Sequence, residues 1–205
     1  MVTNRLFKSL HLQGEFQFVK RIWSSISMSS MIYPEGLTTH YVGAEIEIKA
    51  SAEEVWQVIS EPGNLNHCHP FCKKNEVKKW GAIGAVDSIE YYNGLRLKRV
   101  FTQWSQGQGY ELIIGKGKQA SAKVLWEIIP TNEDLSILRI NIHVLPSIAL
   151  TQYPRIFRRV IGALYLMPRM QHYIKSVVKG FKYYIETGTA VKMNQFGYNK
   201  MFSIR

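Results

Sequence analysis

No apolar run in the 205 residues of this chain approaches the roughly 20 residues that a helix needs to cross a bilayer. We therefore predict that it is not an integral membrane protein. Cysteine is scarce too. The only two cysteines, Cys68 and Cys72, lie four residues apart, so a disulfide between them could not stabilise a fold of this size. The core must therefore be held mainly by burial of apolar side chains, which make up 46% of the chain.

Acidic residues are few. The chain has 15 of them against 26 Lys and Arg, for a formal net charge of +11. Residues 38–188 carry a net charge of +6, and residues 153–187 alone carry an excess of the same size. The positive charge therefore belongs to the last predicted helix and to the two ends of the chain. Such a distribution favours anionic partners. The sequence contains no nucleic-acid-recognition motif such as an RNP sequence, so we predict no specific nucleic-acid partner.

Several enzyme signatures are missing. The sequence has no G-x-S-x-G, no H-E-x-x-H and no dinucleotide-binding glycine pattern. The stretch GKGK at 115–118 is not a phosphate loop, because Tyr110 and Leu112 stand where such a loop needs glycine. The predicted outward-facing acids give no support for paired-carboxylate catalysis. We therefore predict no cofactor and assign no catalytic residue.

Periodicity gives the order of the elements. VGAEIEIK at 42–49 alternates as a half-buried strand does, and Ser51 with Glu54 forms a capping box for a short helix. Residues 75–144 contain five turns that separate about six strands, which predicts an antiparallel meander. Apolar residues then recur every three to four positions from 170 to 185, which predicts a long amphipathic helix.

Three stretches of this pattern resemble a known family. EIEIKASAEEVWQVISEPGNLNHCHPF at 45–71 is similar to the opening of the START/Bet v 1-like (SRPBCC) superfamily, which includes polyketide cyclase/dehydrase and lipid-transport proteins. GAIGAVDSIEYYNG at 81–94 and SVVKGFKYYIETG at 176–188 resemble later segments. The resemblance implies an α+β helix-grip fold, with a curved antiparallel sheet of about seven strands around a long C-terminal helix. It also implies two short helices after the first strand and an apolar cavity inside.

The resemblance covers roughly residues 42–188 and predicts three regions. Residues 1–37 form an extension, residues 38–188 the ligand-binding domain, and residues 189–205 a tail that we expect to be loosely attached. The extension is basic and rich in serine, as transit peptides are, but it lacks the apolar core of a signal peptide. We expect a cytoplasmic protein, with import into an organelle as the alternative.

The segment HCHPFC at 67–72 contains two histidines and both cysteines, which leaves three hypotheses open. Zinc usually takes ligands from two separated pairs, so one short segment is a poor metal site, and we predict none. A thiolate beside a histidine could be a nucleophile, but nothing in the sequence supplies an orienting acid or an oxyanion pocket. The resemblance favours a third reading, a cavity rim at which His69 touches a ligand.

The candidate ligand-binding residues are the polar and aromatic side chains on the predicted strands and the apolar face of the last helix. Core packing is the ordinary alternative for most of them, since the strand parity between residues 86 and 113 is not fixed by the pattern. The set is His69, Tyr91, Arg99, Phe101, Trp104, Tyr110, Trp126, Met170, Ile174, Val177 and Phe181.

Three functions follow from these features. The first is binding or carrying of a hydrophobic small molecule such as a lipid, isoprenoid or polyketide-like compound. The second is a cyclase/dehydrase-like enzyme that acts on such a molecule. The third is peripheral docking on an anionic membrane through the basic helix, for which an ordinary solvated helix face is the alternative. The candidate docking residues are Arg155, Arg158, Arg159, Lys175, Lys179 and Lys182.

Overall fold

A computed structural model describes residues 31–37 and 39–205 of the chain. Most of the predicted N-terminal extension, residues 1–30, lies outside the described residues, and so does the side chain of Arg159. No helix in the described ranges combines the length and the apolarity that a membrane span requires.

The described chain contains one curved sheet of seven antiparallel strands, as predicted. Its spatial order is β1-β7-β6-β5-β4-β3-β2, so β2 to β7 form a meander and β1 closes onto β7. The strands are His40–Ile48 (β1), Cys72–Lys79 (β2), Val86–Tyr91 (β3), Arg96–Ser105 (β4), Gly109–Lys116 (β5), Gln119–Asn132 (β6) and Leu135–Val144 (β7).

The helices occur in the predicted order, with two short helices after β1 and a long helix near the C-terminus, and the stretch before the long helix is irregular. The capping box of Ser51 and Glu54 begins the first helix, and Gly188 in the left-handed conformation (φ 65°) ends the last one. The stretch before Pro168 is a succession of three helix types. The segments are Ala52–Ile59 (α1), Leu65–Cys68 (α2), Pro146–Ala149 (α3), a 3-10 turn at Arg155–Phe157, Arg158–Ile161 (α4), a π-helical turn at Gly162–Leu166 and Met167–Thr187 (α5).

Helix α5 is held against strand β1 near both ends and packs closely on helix α2. Gln171 Nε2 donates to the Gly43 carbonyl at 2.8 Å, and Lys182 Nζ donates to the Glu47 carbonyl at 2.7 Å. Two residues before Lys182, a Cβ at Gly180 would lie 2.2 Å from the Cys68 carbonyl oxygen. Only glycine therefore lets α2 pack this closely on α5, and the sheet grips the helix along its length.

The C-terminal tail corrects our expectation of loose attachment. The Val191 amide donates to the His67 carbonyl at 2.8 Å, and Asn199 Nδ2 donates to the Arg169 carbonyl at 2.9 Å. Phe202 is buried, with its ring centroid 4.4 Å from that of Tyr173. The tail shows no periodicity because it follows the surface in turns and inserts a single aromatic anchor.

Candidate ligand-binding cavity

A cavity of about 610 Å³ lies between the sheet and helix α5. This volume falls in the range of about 300–1,000 Å³ that is typical of small-molecule sites. Most of its wall is apolar and comes from β3 to β7 and α5, with Leu112, Val124, Ile140 and Ile142 among the strand residues. The fold places this space where a helix-grip protein would hold a ligand.

Seven of the eleven candidate residues border the cavity, and they come from strands β3, β4 and β6, helix α5 and the segment before β2. They are His69, Tyr91, Arg99, Trp126, Met170, Ile174 and Val177. The other four, Phe101, Trp104, Tyr110 and Phe181, lie outside it.

Those four residues fill the solid part of the core instead. Phe101, Trp104 and Tyr110 pack together with Trp80, at centroid distances of 5.0–5.6 Å. Phe181 packs edge-on against Trp126 at 4.9 Å. A bulge between Phe101 and Gln103 shifts the β4–β5 register, so that Phe101 and Trp104 both turn inward at a spacing of three. Simple alternation could not have given this arrangement.

One side of the cavity is polar, and its four residues, His69, Tyr91, Arg99 and Tyr173, are here called the polar wall. His69 Nδ1 accepts the Phe71 amide at 3.1 Å, so the neutral ring carries its hydrogen on Nε2. Nε2 lies 3.0 Å from the Tyr173 hydroxyl, which lies 3.1 Å from the Tyr91 hydroxyl.

The hydrogen-bonded series His69–Tyr173–Tyr91 leaves one hydrogen-bond donor free. Nε2–H of His69 and the two tyrosine hydroxyls supply three hydrogens for two hydrogen bonds among the three groups. One hydroxyl hydrogen, on Tyr91 or on Tyr173, is therefore available to a molecule in the cavity. A hydrogen-bond acceptor on a ligand would satisfy it.

Arg99 adds a charge-neutralised donor to the polar wall. Its Nε donates to Asp87 Oδ1 at 2.7 Å, and its Nη2 bonds Asp87 Oδ2, so the pair is bidentate and almost fully buried. Asn75 Nδ2 also donates to Asp87 Oδ2, at 3.0 Å. Arg99 Nη1 has no hydrogen-bond partner among the residues that the structure describes. The guanidinium therefore presents N–H groups while its charge is offset by Asp87.

The polar wall keeps its protons fixed around neutral pH. Burial, reinforced by the charge of Arg99, lowers the pKa of His69 to about 3. Burial raises the pKa of Tyr173 to about 12 and that of Tyr91 well above its usual value. Burial alone would lower the pKa of Arg99, but attraction and hydrogen bonding to Asp87 outweigh it and raise that pKa. His69 is thus neutral, both tyrosines are protonated and Arg99 is charged.

Only His69 of the HCHPFC segment borders the cavity, and it lies in the buried wall and not at a rim. His69 is 5% exposed, whereas the His67 ring stacks on Tyr184 at 5.8 Å. Burial raises the pKa of both thiols, that of Cys72 to about 12, which keeps them protonated. In the described part of the chain no three metal-ligating side chains come together. The segment buries small and aromatic side chains under α5 and directs His69 inward.

The mouth of the cavity is marked by its solvent-exposed lining residues. Lys116 and Gln119 contribute from the β5–β6 turn, while Thr151, Gln152 and Tyr165 contribute from the segment between α3 and α5. The helical segment 155–166 therefore stands beside the opening.

Three residues of the site were not predicted from the sequence. Tyr173 lies on the flank of the predicted helix face, and only its contact with His69 identifies its role. Asp87 pairs with Arg99 across the β3–β4 hairpin, whereas counting back from a two-residue Asn93-Gly94 turn places Ser88 opposite Arg99. Phe202 closes the polar end of the cavity from the tail, where no pattern predicts it.

The residues of the predicted basic surface differ in how their charges are used: some bind groups within the fold, and others are exposed to solvent. Arg158 donates to the carbonyls of Ser147, Thr151 and Tyr153, and Lys182 pairs with Glu186 at 2.6 Å. Arg155, Lys175 and Lys179 are exposed. The predicted docking role of Arg159 falls on a side chain outside the described residues.

Comparison with known proteins identifies the fold. No protein-family model matches the chain, and no curated protein matches it. Among solved structures, TTHA0849 from Thermus thermophilus has a TM-score of 0.58 at 15% identity, covering 74% of this chain and 100% of that one. Truncated norcoclaurine synthase from Thalictrum flavum has a TM-score of 0.53 at 16% identity, covering 76% and 99% respectively.

A third structure, a conserved protein of unknown function (EF2215) from Enterococcus faecalis, has a TM-score of 0.54 at 13% identity and covers 82% of each chain. Identities this low carry the fold and no function. Norcoclaurine synthase is a member of the Bet v 1-like fold. The chain therefore has a Bet v 1-like helix-grip fold.

Proposed function

We propose that this protein binds or carries a hydrophobic small molecule, such as a lipid, isoprenoid or polyketide-like compound, and holds an oxygen of that molecule at the polar wall. The observation behind the proposal is a cavity of about 610 Å³ whose lining is mainly apolar apart from the polar wall and the mouth. Apolar burial supplies affinity, and a few fixed polar groups supply orientation. The free tyrosine hydroxyl and the N–H groups of Arg99 would both donate to a carbonyl or carboxylate oxygen.

Proton-transfer catalysis of the cyclase/dehydrase kind has weaker support. A general acid or base works best when its pKa lies near the working pH. The pKa of His69 lies far below neutrality and those of Tyr91 and Tyr173 lie above it, each because of burial. The polar wall therefore suits binding of an acceptor more than transfer of a proton.

A fluorescent acylnaphthalene dye tests cavity binding, because its ketone oxygen and apolar rings match the two parts of the site. We expect saturable 1:1 binding with enhanced emission. Val177→Trp should abolish it by filling the cavity, since Val177 is buried and borders that space. Val77→Trp is the matched control, because Val77 lies on β2 outside the cavity lining and is 36% exposed. Equal binding by wild type and Val177→Trp would refute the proposal.

A matched pair of competitors tests the polar wall. The ketone and its analogue with CH₂ in place of the carbonyl should differ about tenfold in affinity, the usual effect of an unmade buried hydrogen bond. Tyr91→Phe alone leaves the Tyr173 hydroxyl free to donate, so it should keep most of this difference. The Tyr91→Phe/Tyr173→Phe variant should reduce it to what Arg99 and the then unpaired Nε2–H of His69 provide. An unchanged preference in that variant would show that the tyrosines do not hold the oxygen.

A further inference from the structure

The helical segment beside the cavity mouth has an unusual outer face. Four large apolar residues on it are more than half exposed: Ile156 (79%), Phe157 (53%), Val160 (56%) and Leu164 (75%). Ile156, Val160 and Leu164 are spaced by four, so they share one side of the helix. Single exposed apolar residues are common on protein surfaces, but a contiguous group of this size marks an interaction site. These four residues are called the outer face.

The opposite side of the same segment is part of the core and of the cavity. Gly162 and Leu166 are buried, and a Cβ at Gly162 would lie 3.5 Å from Pro146. Leu166 and Tyr165 line the cavity. The segment is therefore anchored from inside, and burial within the fold cannot account for its apolar outer face.

The charges on the stretch of chain that carries the outer face are of one sign. No Asp or Glu occurs between Asp134 and Glu186, whereas eight Lys and Arg do. Arg155 is exposed at the start of the segment, and Arg169 at its far end stacks its guanidinium 3.6 Å from the Tyr165 ring centre. Lys116 adds a further cation at the mouth. An apolar strip edged by cations fits the boundary between the headgroups and acyl chains of an anionic membrane.

We propose that the outer face docks this protein on anionic phospholipid membranes, with the cavity mouth beside the bilayer. Ile156, Val160 and Leu164 enter the acyl boundary, while Arg155 and the neighbouring cations contact the headgroups. A second copy of the chain is a poorer occupant, because a two-fold contact through this face would bring two arginine-edged surfaces together without an acid to offset them. The site differs from the basic surface predicted from composition, since apolar residues are its main part.

Vesicle sedimentation with the full-length protein tests the proposal. We expect the protein to pellet with phosphatidylcholine vesicles that contain about 30 mol% phosphatidylserine and much less with phosphatidylcholine alone, since anionic lipid attracts the basic residues. Ile156→Glu/Leu164→Glu should lower the partition coefficient at least about tenfold, because two carboxylates replace the inserting side chains. Ile83→Glu is the matched control, because Ile83 is 65% exposed in the β2–β3 turn, and it should bind as wild type does.

Three results would overturn the proposal. One is failure of the wild-type protein to bind the anionic vesicles, and another is equal binding by the double variant. The third is a wild-type dimer in solution that the double variant dissociates, which would assign the outer face to self-association. Circular dichroism melting of each variant establishes that it is folded. Vesicle binding needs no cavity ligand, so this result and the test of ligand binding are independent.

Discussion

At the residue scale, the buried pair of Arg99 and Asp87 connects stability to the proposed site. Both side chains are almost fully inaccessible, and two hydrogen bonds join them. Removing one partner of such a pair leaves a buried charge without compensation, which typically costs about 3–5 kcal/mol. The same guanidinium is a donor of the polar wall, so its position is fixed before any ligand arrives.

Arg99→Met should therefore lower the free energy of unfolding by about 3–5 kcal/mol, as measured by urea denaturation. The Asp87→Asn/Arg99→Met variant should lose less than the single variant, since no charge is then left unpaired. A loss below about 1 kcal/mol in Arg99→Met would mean that water reaches Asp87 and that the wall is not dry.

His69 should make stability depend on pH. Its folded pKa of about 3 lies below the usual value of 6.5, so the unfolded chain binds a proton that the folded chain does not when the pH lies between these values. Stability should thus fall as the pH drops below about 6.5, by up to about 2 kcal/mol between pH 7 and pH 5. Parallel urea titrations of wild type and His69→Gln check this, and an equal pH dependence in both would contradict it.

At the element scale, two glycines on the last helical run should respond oppositely to alanine. At Gly180 the added Cβ would meet the Cys68 carbonyl oxygen at 2.2 Å, so α2 must move. At Gly162 it would meet Pro146 at an ordinary 3.5 Å. Gly180→Ala should destabilise by about 1–3 kcal/mol. Gly162→Ala should be neutral or gain up to about 1 kcal/mol from helix propensity. Thermal melting of both variants would contradict this account if their order were reversed.

The tail should act as the closure of the cavity's polar end. The Phe202 ring packs at a tilt against Tyr173 and Tyr91, with centroid distances of 4.4 Å and 4.7 Å, and borders the cavity. Phe202→Ala should accelerate amide hydrogen exchange in residues 199–205 and weaken dye binding, because water then reaches the tyrosine hydroxyls. Tyr198→Ala is the control on the same tail, since Tyr198 is 39% exposed. Unchanged exchange in Phe202→Ala would show that the backbone hydrogen bonds alone hold the tail.

Element order was predictable from sequence, but register was not. Alternation identified β1 and β7, and the capping box identified α1, since each is a local property. The β3–β4 hairpin has three connecting residues, with the Tyr91 amide bonded to the Leu95 carbonyl at 2.8 Å. A two-residue Asn-Gly turn would have placed Ser88, not Asp87, opposite Arg99. One residue of turn length thus decides whether an acid lies opposite the arginine.

At the scale of the whole molecule, the sequence indicated where the cavity lies and several of the residues that line it. The apolar face of the last helix pointed to the cavity because Met170, Ile174 and Val177 follow helical spacing. Three of the four polar-wall residues were candidates from the sequence, but their contacts with Tyr173 were not predictable, because His69 and Tyr173 lie 104 positions apart. Contacts of that kind depend on the closed sheet and leave no local pattern.

We predict that this protein uses its internal cavity to bind a hydrophobic molecule. Native mass spectrometry of the full-length protein, purified gently from its producing cell and followed by organic extraction, tests this most directly. We expect a near-stoichiometric hydrophobic adduct that contains at least one acceptor oxygen and is absent from the Val177→Trp variant. Identical masses for the two proteins after correction for the substitution, together with failure of both to bind the acylnaphthalene dye, would contradict the central claim.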